Sequence, residues 1–309
     1  MIITLTPNTG IDYTVQVSHF QLNRTIRASD TAWGMGGKAT DVSWILGKLG
    51  IPTRALGFAA GAYGVRMENM LHQRGVATDF VTVEGETRLN TIIVVPGEGQ
   101  STLTSSSLHV LPEHLVEFAA RYQQALKIAT CVVVGGSLPH GVPIEFYEEV
   151  ILQAHQKGVP VIFDSSGPAL IAGLKGCPEL IKPNLAELGD LLGYQPASQE
   201  EVYRAADEIH AKYGIDVIVT LGGVGALAIL KDRSYFIHPT PGKVVSSAGA
   251  GDGILAGMAL AYLHQESPEY GIRHGFALAG AVLRTLSTAD FLLEDYQNLL
   301  PQIRIDPFK

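Results

Sequence analysis

The chain has 309 residues, 46% of them hydrophobic and 17% charged, which allows one large α/β domain or two smaller ones and excludes a disordered chain. A net charge of −8 with no basic stripe excludes a nucleic-acid binder but leaves room for a small anionic substrate held by local cations. Cys131 and Cys177 make neither a disulfide framework nor a metal-ligand spacing, no signal segment or transmembrane-length apolar run is present, and a reducing cytoplasm is expected.

Residues 2–6 read as a first strand, closed by Pro7 and Asn8. Residues 13–17 alternate like a half-exposed strand, and 26–33 read as another. Such early strands break the βαβ rhythm and predict a small sheet attached to the main domain. Gly34-Met35-Gly36-Gly37-Lys38 then opens a helix over 40–49, closed by Gly50 and Pro52. It is not a Walker A loop, because Ala32 and Ala39 stand where that motif requires glycine and Ser or Thr. Two readings stand side by side: an anion site with Lys38 at its mouth, or a tight turn with a solvated lysine.

A strand over 53–58 and a helix over 64–75 follow. Strands at 80–83, 90–95 and 101–105 complete the small sheet, giving a β lid drawn from segments within 11–34 and 80–106. Residues 112–126 form an amphipathic helix opened by Pro112. From Cys131 the rhythm is regular: strand 131–134, turn Gly135-Gly136-Ser137, helix 144–157, strand 159–164 and a short strand from Leu180. A helix over 185–192 is capped by Asn184, and Glu187 three residues on fits a capping box as well as a metal or phosphate role. Helix 200–212 and strand 216–221 lead to Gly222-Gly223-Val224-Gly225, and 226–230 with 235–239 read as an antiparallel pair. Helices over 253–264, 270–286 and 292–300 end the chain.

Before the first of these lies Ser246-Ser247-Ala248-Gly249-Ala250-Gly251-Asp252-Gly253, glycine-rich chain feeding an apolar helix. A helix N-terminus offers unpaired N–H groups and partial positive charge, and the glycines let an anion approach the backbone. Asp252 in the same turn is a candidate general base, or else a helix cap. Gly34–Ala39 and Gly223–Ala228 both match the permissive dinucleotide pattern G-x-G-x-x-A, but the first follows an alternating lid-like segment and the second leads into a strand, so neither has the strand–turn–helix context that a dinucleotide site needs.

These residues, in this order, resemble the ribokinase/PfkB family of carbohydrate kinases, and most closely its branch of 1-phosphofructokinases and tagatose-6-phosphate kinases. The similarity rests on Gly249-Ala250-Gly251-Asp252, Gly36-Gly37-Lys38, Asn184-Leu185-Ala186-Glu187 and Thr220-Leu221-Gly222-Gly223-Val224-Gly225. Thr6 to Asp12, Thr87-Arg88-Leu89-Asn90, Gly136-Ser137-Leu138-Pro139 and Ile181-Lys182-Pro183-Asn184 point to the branch. The resemblance implies one ribokinase-like domain over 1–309, with a doubly wound, mostly parallel sheet, helices on both faces and a small β-sheet lid. It implies a kinase carrying a phosphoryl group from ATP to a hydroxyl of a phosphoketohexose, either fructose 1-phosphate or tagatose 6-phosphate.

By resemblance, Asp252 is the base, and Gly249, Ala250 and Gly251 form the anion hole. Lys38, Arg88 and Ser137 hold the phosphate already on the sugar, Gly36 and Gly37 belong to the same substrate site, and Asp12, Asp41 and Asn90 meet the sugar hydroxyls. Lys182, Asn184, Glu187, Thr220, Gly222, Gly225 and Ser247 line the nucleotide, and Asn184 with Glu187 order Mg2+ through water. A monovalent cation is left open, no membrane or nucleic-acid partner is implied, and the exposed lid strands suit pairing with a second copy. Ser246-Ser247 replaces the family's Asp-Thr, Ala39 a glycine, and Asp41 an asparagine. An ionised Asp41 would meet hydroxyls as an acceptor only. A catalytically weak sugar-phosphate sensor and a kinase for neutral sugars or nucleosides are the alternatives.

Overall fold

Alternation decides the main sheet of the computed structural model, which describes residues 1–308. In strand β1 (Ile2–Asn8), Ile2 enters one apolar core and Ile3 and Leu5 the other. Side chains in a strand point alternately to its two faces, so a strand covered on both faces is an unbroken apolar run. β1 is followed after one residue by β2 (Gly10–Gln16), which already belongs to a second sheet with β3 (Asp30–Gly36). The chain thus passes from body to lid between Asn8 and Gly10. Helix α1 (Lys38–Lys48) returns to the body, followed by β4 (Thr53–Ala59), α2 (Gly61–Gln73) and β5 (Ala77–Thr82).

β5 corrects the sequence reading of 80–83 as lid. It pairs in parallel with β4 across the α2 crossover, a βαβ unit of the main sheet. The lid proper is β3-β2-β6-β7, completed by β6 (Arg88–Val95) and β7 (Gly99–Thr104). Then come α3 (Pro112–Leu126), β8 (Cys131–Gly135), α4 (Phe146–His155) and β9 (Val161–Asp164). Helix α5 (Gly167–Leu174) was not anticipated, because an all-apolar stretch with glycine at both ends shows no amphipathic period. Next are β10 (Leu180–Ile181), α6 (Leu185–Leu192), α7 (Gln199–Tyr213), β11 (Asp216–Thr220) and the antiparallel β12 (Ala226–Ile229) and β13 (Ser234–Ile237). Helices α8 (Ala250–His264), α9 (Pro268–Val282) and α10 (Leu293–Leu299) and the edge strand β14 (Ile305–Pro307) end the fold.

The ten strands run β14-β13-β12-β11-β10-β9-β8-β1-β4-β5, parallel from β5 to β11. From β1 the chain adds β4 and β5 on one side and β8 to β11 on the other. This is a doubly wound α/β sheet whose order reverses between β1 and β8, where the crevice outside the strand ends suits a ligand. α1, α8 and α9 contribute to one core and α3, α4 and α7 to the other. Among the described residues no helix is long and apolar enough to cross a membrane.

Candidate active site

Strand ends at the reversal point set the rim. β1 delivers Asn8, β8 runs into Gly136 and Ser137, β9 ends in Asp164, and Lys182 follows β10. Across this rim lies the start of α8. Gly249 caps that helix with φ 80, and a Cβ there would fall 2.4 Å from Ala289 N, so only glycine fits. The helix starts at Ala250, three residues before the predicted position, because Gly251 and Gly253 read as loop. In fact Gly253 is glycine for packing, since its Cβ would sit 2.7 Å from Ala279 N. Ala250, Gly251 and Asp252 therefore form the first turn, and among the described residues the Gly251 N–H finds no acceptor in the chain.

Asp252 is buried in that turn. Burial, with Asp164 adding repulsion, pushes its carboxyl up to about 7 against the pull of Lys38 and Lys182. Asp164 escaped the sequence reading; its only signal was an acid closing a four-residue buried strand. It joins two cations, Lys38 Nζ at 2.8 Å and Lys182 Nζ at 3.2 Å. Lys38 also meets Glu187 Oε1 at 3.3 Å. Burial opposes the Asp164 charge, but Lys182 and Lys38 hold it below its usual range. The converse holds for Lys38, which burial would discharge and Asp164 and Glu187 keep charged. Lys182 Nζ lies 3.0 Å from where a Cβ on Gly251 would be, so glycine there leaves the ammonium its place beside the first turn of α8.

A second group gathers where lid meets body. Asn90 donates to Asp12 Oδ1 at 2.7 Å, and Gly36 lacks a Cβ that would sit 2.5 Å from the same oxygen. Burial raises the Asp12 carboxyl, partly offset by Asn90, Thr288 and Arg88. Gly37 turns the chain into α1 with φ 105, close over Thr6. Arg88 reaches Ser137 Oγ at 3.4 Å, and Asn8, itself bonded to Ser107, donates to that hydroxyl at 3.0 Å. The sequence assigns no site role to Asn8 or Ser107. Lys38 and Arg88, expected to share one anion, have different partners. Arg88 Nε, Asn90 Oδ1 and Asp41 Oδ1 are buried without a partner. Three such atoms at one site are costly unless a polar ligand meets them.

Asn184 and Glu187 form a full capping box on α6: Glu187 N–H donates to Asn184 Oδ1 at 2.8 Å and Asn184 N–H to Glu187 Oε2 at 2.9 Å. Asn184 is exposed and Glu187 half-buried, and their oxygens suit a hard cation. With those oxygens already engaged, the fit is to a hydrated magnesium. Thr220 bridges to Asn184, and Gly222 (φ 60) opens a short 3-10 turn in free space. Gly225 (φ 123) comes so close to Ile237 O that a Cβ would lie 2.2 Å from it. Ser247 N–H and Ser246 Oγ donate to the Gln100 side chain of the lid at 3.0 and 3.1 Å.

The pfkB family carbohydrate kinase profile matches residues 7–295. The chain is 31% identical to the 1-phosphofructokinase of Bacillus subtilis over 99% of both sequences. It is 30% identical to a tagatose-6-phosphate kinase of Staphylococcus epidermidis, again over 99% of each. Its structure resembles that of phosphofructokinase-2 from Escherichia coli in complex with potassium, with TM-score 0.87, 29% identity and 97% and 98% coverage. A possible 1-phosphofructokinase of Thermotoga maritima gives TM-score 0.89 at 27% identity, covering 100% and 99%.

Proposed function

Because the chain belongs to the pfkB family of carbohydrate kinases and is a phosphotransferase with an alcohol group as acceptor, we propose that it phosphorylates a hydroxyl of a phosphoketohexose, with ATP as donor. The observation that carries the substrate class is Arg88. Its Nε is buried with no partner among the described residues, and its guanidinium reaches the Ser137 hydroxyl, to which Asn8 also donates. A fixed planar cation with hydroxyl and amide neighbours suits a phosphate that stays on the sugar, separate from the phosphoryl group in transit. A neutral sugar would leave that arginine unsatisfied.

In this reading the sugar lies over Asp12, Gly36 and Asn90, with the acceptor hydroxyl against Asp252. Asp252 takes the hydroxyl proton. The Gly251 N–H, which among the described residues has no acceptor, faces the charge that spreads over the phosphoryl oxygens; the Ala250 and Asp252 N–H groups, expected beside it, donate instead to the Ser247 and Gly249 carbonyls and brace the turn, for which Gly249 makes room. Lys38 and Lys182, both anchored by Asp164, line the transfer path. Phosphoryl transfer depends on positioning and electrostatics, so no covalent nucleophile is needed. Magnesium, held through water by Asn184 and Glu187, supplies charge neutralisation on the nucleotide phosphates. Thr220, Gly222, Gly225 and Ser247 border the nucleotide. The lid excludes water, and its outer side, with Phe20, Leu22 and Leu103 exposed, suits a second copy of the chain.

The test is ADP release with MgATP, with and without potassium, on fructose 1-phosphate, tagatose 6-phosphate, fructose 6-phosphate and their unphosphorylated parents. Turnover on one phosphosugar, lost in Asp252→Asn, is expected. Equal efficiency on an unphosphorylated parent would overturn the substrate class, and silence on all six would overturn the kinase.

A further inference from the structure

Two acids meet where α1 packs on α8. Asp41 stands in the first turn of α1 and Asp252 in the first turn of α8, both buried, with their carboxyls in hydrogen-bond reach of each other. Two ionised carboxylates this close in a buried site cannot coexist, so one proton is shared. The charged neighbours decide its place. Asp252 faces Lys38 from α1, Lys182 from the end of β10 and Asp164 from β9: two cations and one acid. Asp41 faces Asp12 from β2 and Asp252 from α8, with only Arg88 of β6 opposing them: two acids and one cation. Asp41 Oδ1 is also buried with no donor from the chain, so among the described residues nothing stabilises a negative charge on it.

We propose that Asp41 is a positioning residue: a neutral carboxylic acid whose O–H is donated to the Asp252 carboxylate and holds the base in place. A protonated carboxyl has one donor and remaining acceptor capacity, the pattern of an amide, so it can also accept from a sugar hydroxyl. This revises the expectation that Asp41 acts as an acceptor only. Burial, then Asp252 and Asp12, hold its carboxyl well above the usual carboxylate range. The role toward the base rests on the kinase reading; the protonation state does not.

The first test is therefore independent of activity. Infrared difference spectra of the full chain against Asp41→Asn, in mildly alkaline buffer, should show loss of a protonated carboxylic acid C=O stretch. Loss of an ionised carboxylate stretch instead would overturn the proposal. The second test reads the acid limb of kcat/KM. Asp41→Leu removes a donor to Asp252 and should move the limb up by roughly one pH unit, the size of one hydrogen bond to a charged group. Asp41→Asn keeps a donor and should leave the limb nearer the wild type, with more turnover than Asp41→Leu. If Asp41 were an anion, both variants would relieve repulsion and move the limb down, which would overturn the proposal. A wild type inactive on every phosphosugar would remove the kinase reading while the infrared result still decides the proton.

Discussion

Asp252 does two things that pull in opposite directions. Burial raises its carboxyl to about 7, close enough to working pH to accept a proton and release it. The same burial costs stability. The folded chain keeps a proton that the unfolded chain gives up near about pH 4, so stability falls as pH rises from there through about 7. Asp252→Asn removes that titration. Its melting temperature relative to wild type should therefore rise between acid and mildly alkaline buffer, while turnover falls about a hundred- to ten-thousandfold. An unchanged melting difference across that range would contradict the burial argument. In the wild type, kcat/KM should fall as pH drops through about 7, because the proposed base must be ionised to take a proton. Arg88→Ala should act differently. On the proposed reading it removes a phosphate partner rather than the base itself, so phosphosugar KM should rise about ten- to a hundredfold with a smaller loss of kcat. Unphosphorylated sugars should be indifferent to it. If their KM rises as much, Arg88 does not read phosphate.

At the scale of elements, Gln100 ties the lid to the segment that leads into α8. Gln100 of β7 accepts from Ser246 Oγ and Ser247 N–H, 146 and 147 positions away in sequence. β7 itself is exposed along its length, so little else holds this corner. Gln100→Ala should speed amide exchange in β6 and β7 and raise sugar KM, with melting temperature little changed; unaltered exchange there would mean that Gln100 is no tie. Sequence could not show this contact, because nothing local marks a glutamine that bonds across the fold. What it could show were features whose cause is local. Gly249 ahead of an apolar run, and Asn184 with Glu187 at capping distance, carry their geometry in their spacing, whereas Gly253 is glycine because of Ala279 on α9, which its own neighbours do not announce. β5 was assigned to the wrong sheet because parallel pairing with β4 is decided by a crossover, not by its own residues. Asp164 was missed because its meaning lies in Lys38 and Lys182, which reach it from α1 and from the end of β10.

At the scale of the molecule, the sheet fixes one half of the site and a helix pair fixes the other. Asn8, Ser137, Asp164 and Lys182 follow parallel strands whose register sets their relative height. Asp252 instead depends on where α8 sits, and at Gly257 the backbone of α8 lies directly against that of α9. A Cβ on Gly257 would fall 2.1 Å from Gly275 N and 2.5 Å from Gly271 O. Even alanine must push the helices apart. Overpacking of this kind typically costs about 1–3 kcal/mol, enough to lower the melting temperature by several degrees. The displacement should also reach the helix start, because α8 carries Asp252 and its first-turn N–H groups as a rigid unit. Gly257→Ala should therefore lose turnover as well as stability, although the substitution lies more than one helical turn from Asp252. ATP binding should suffer less, since the proposed nucleotide residues Asn184, Glu187 and Thr220 do not ride on α8. Measuring melting temperature, kcat and nucleotide affinity on the one variant separates these effects. A lower melting temperature with unchanged kcat would show that the sheet side alone, through Lys182 beside Gly251, holds the start of α8 in place.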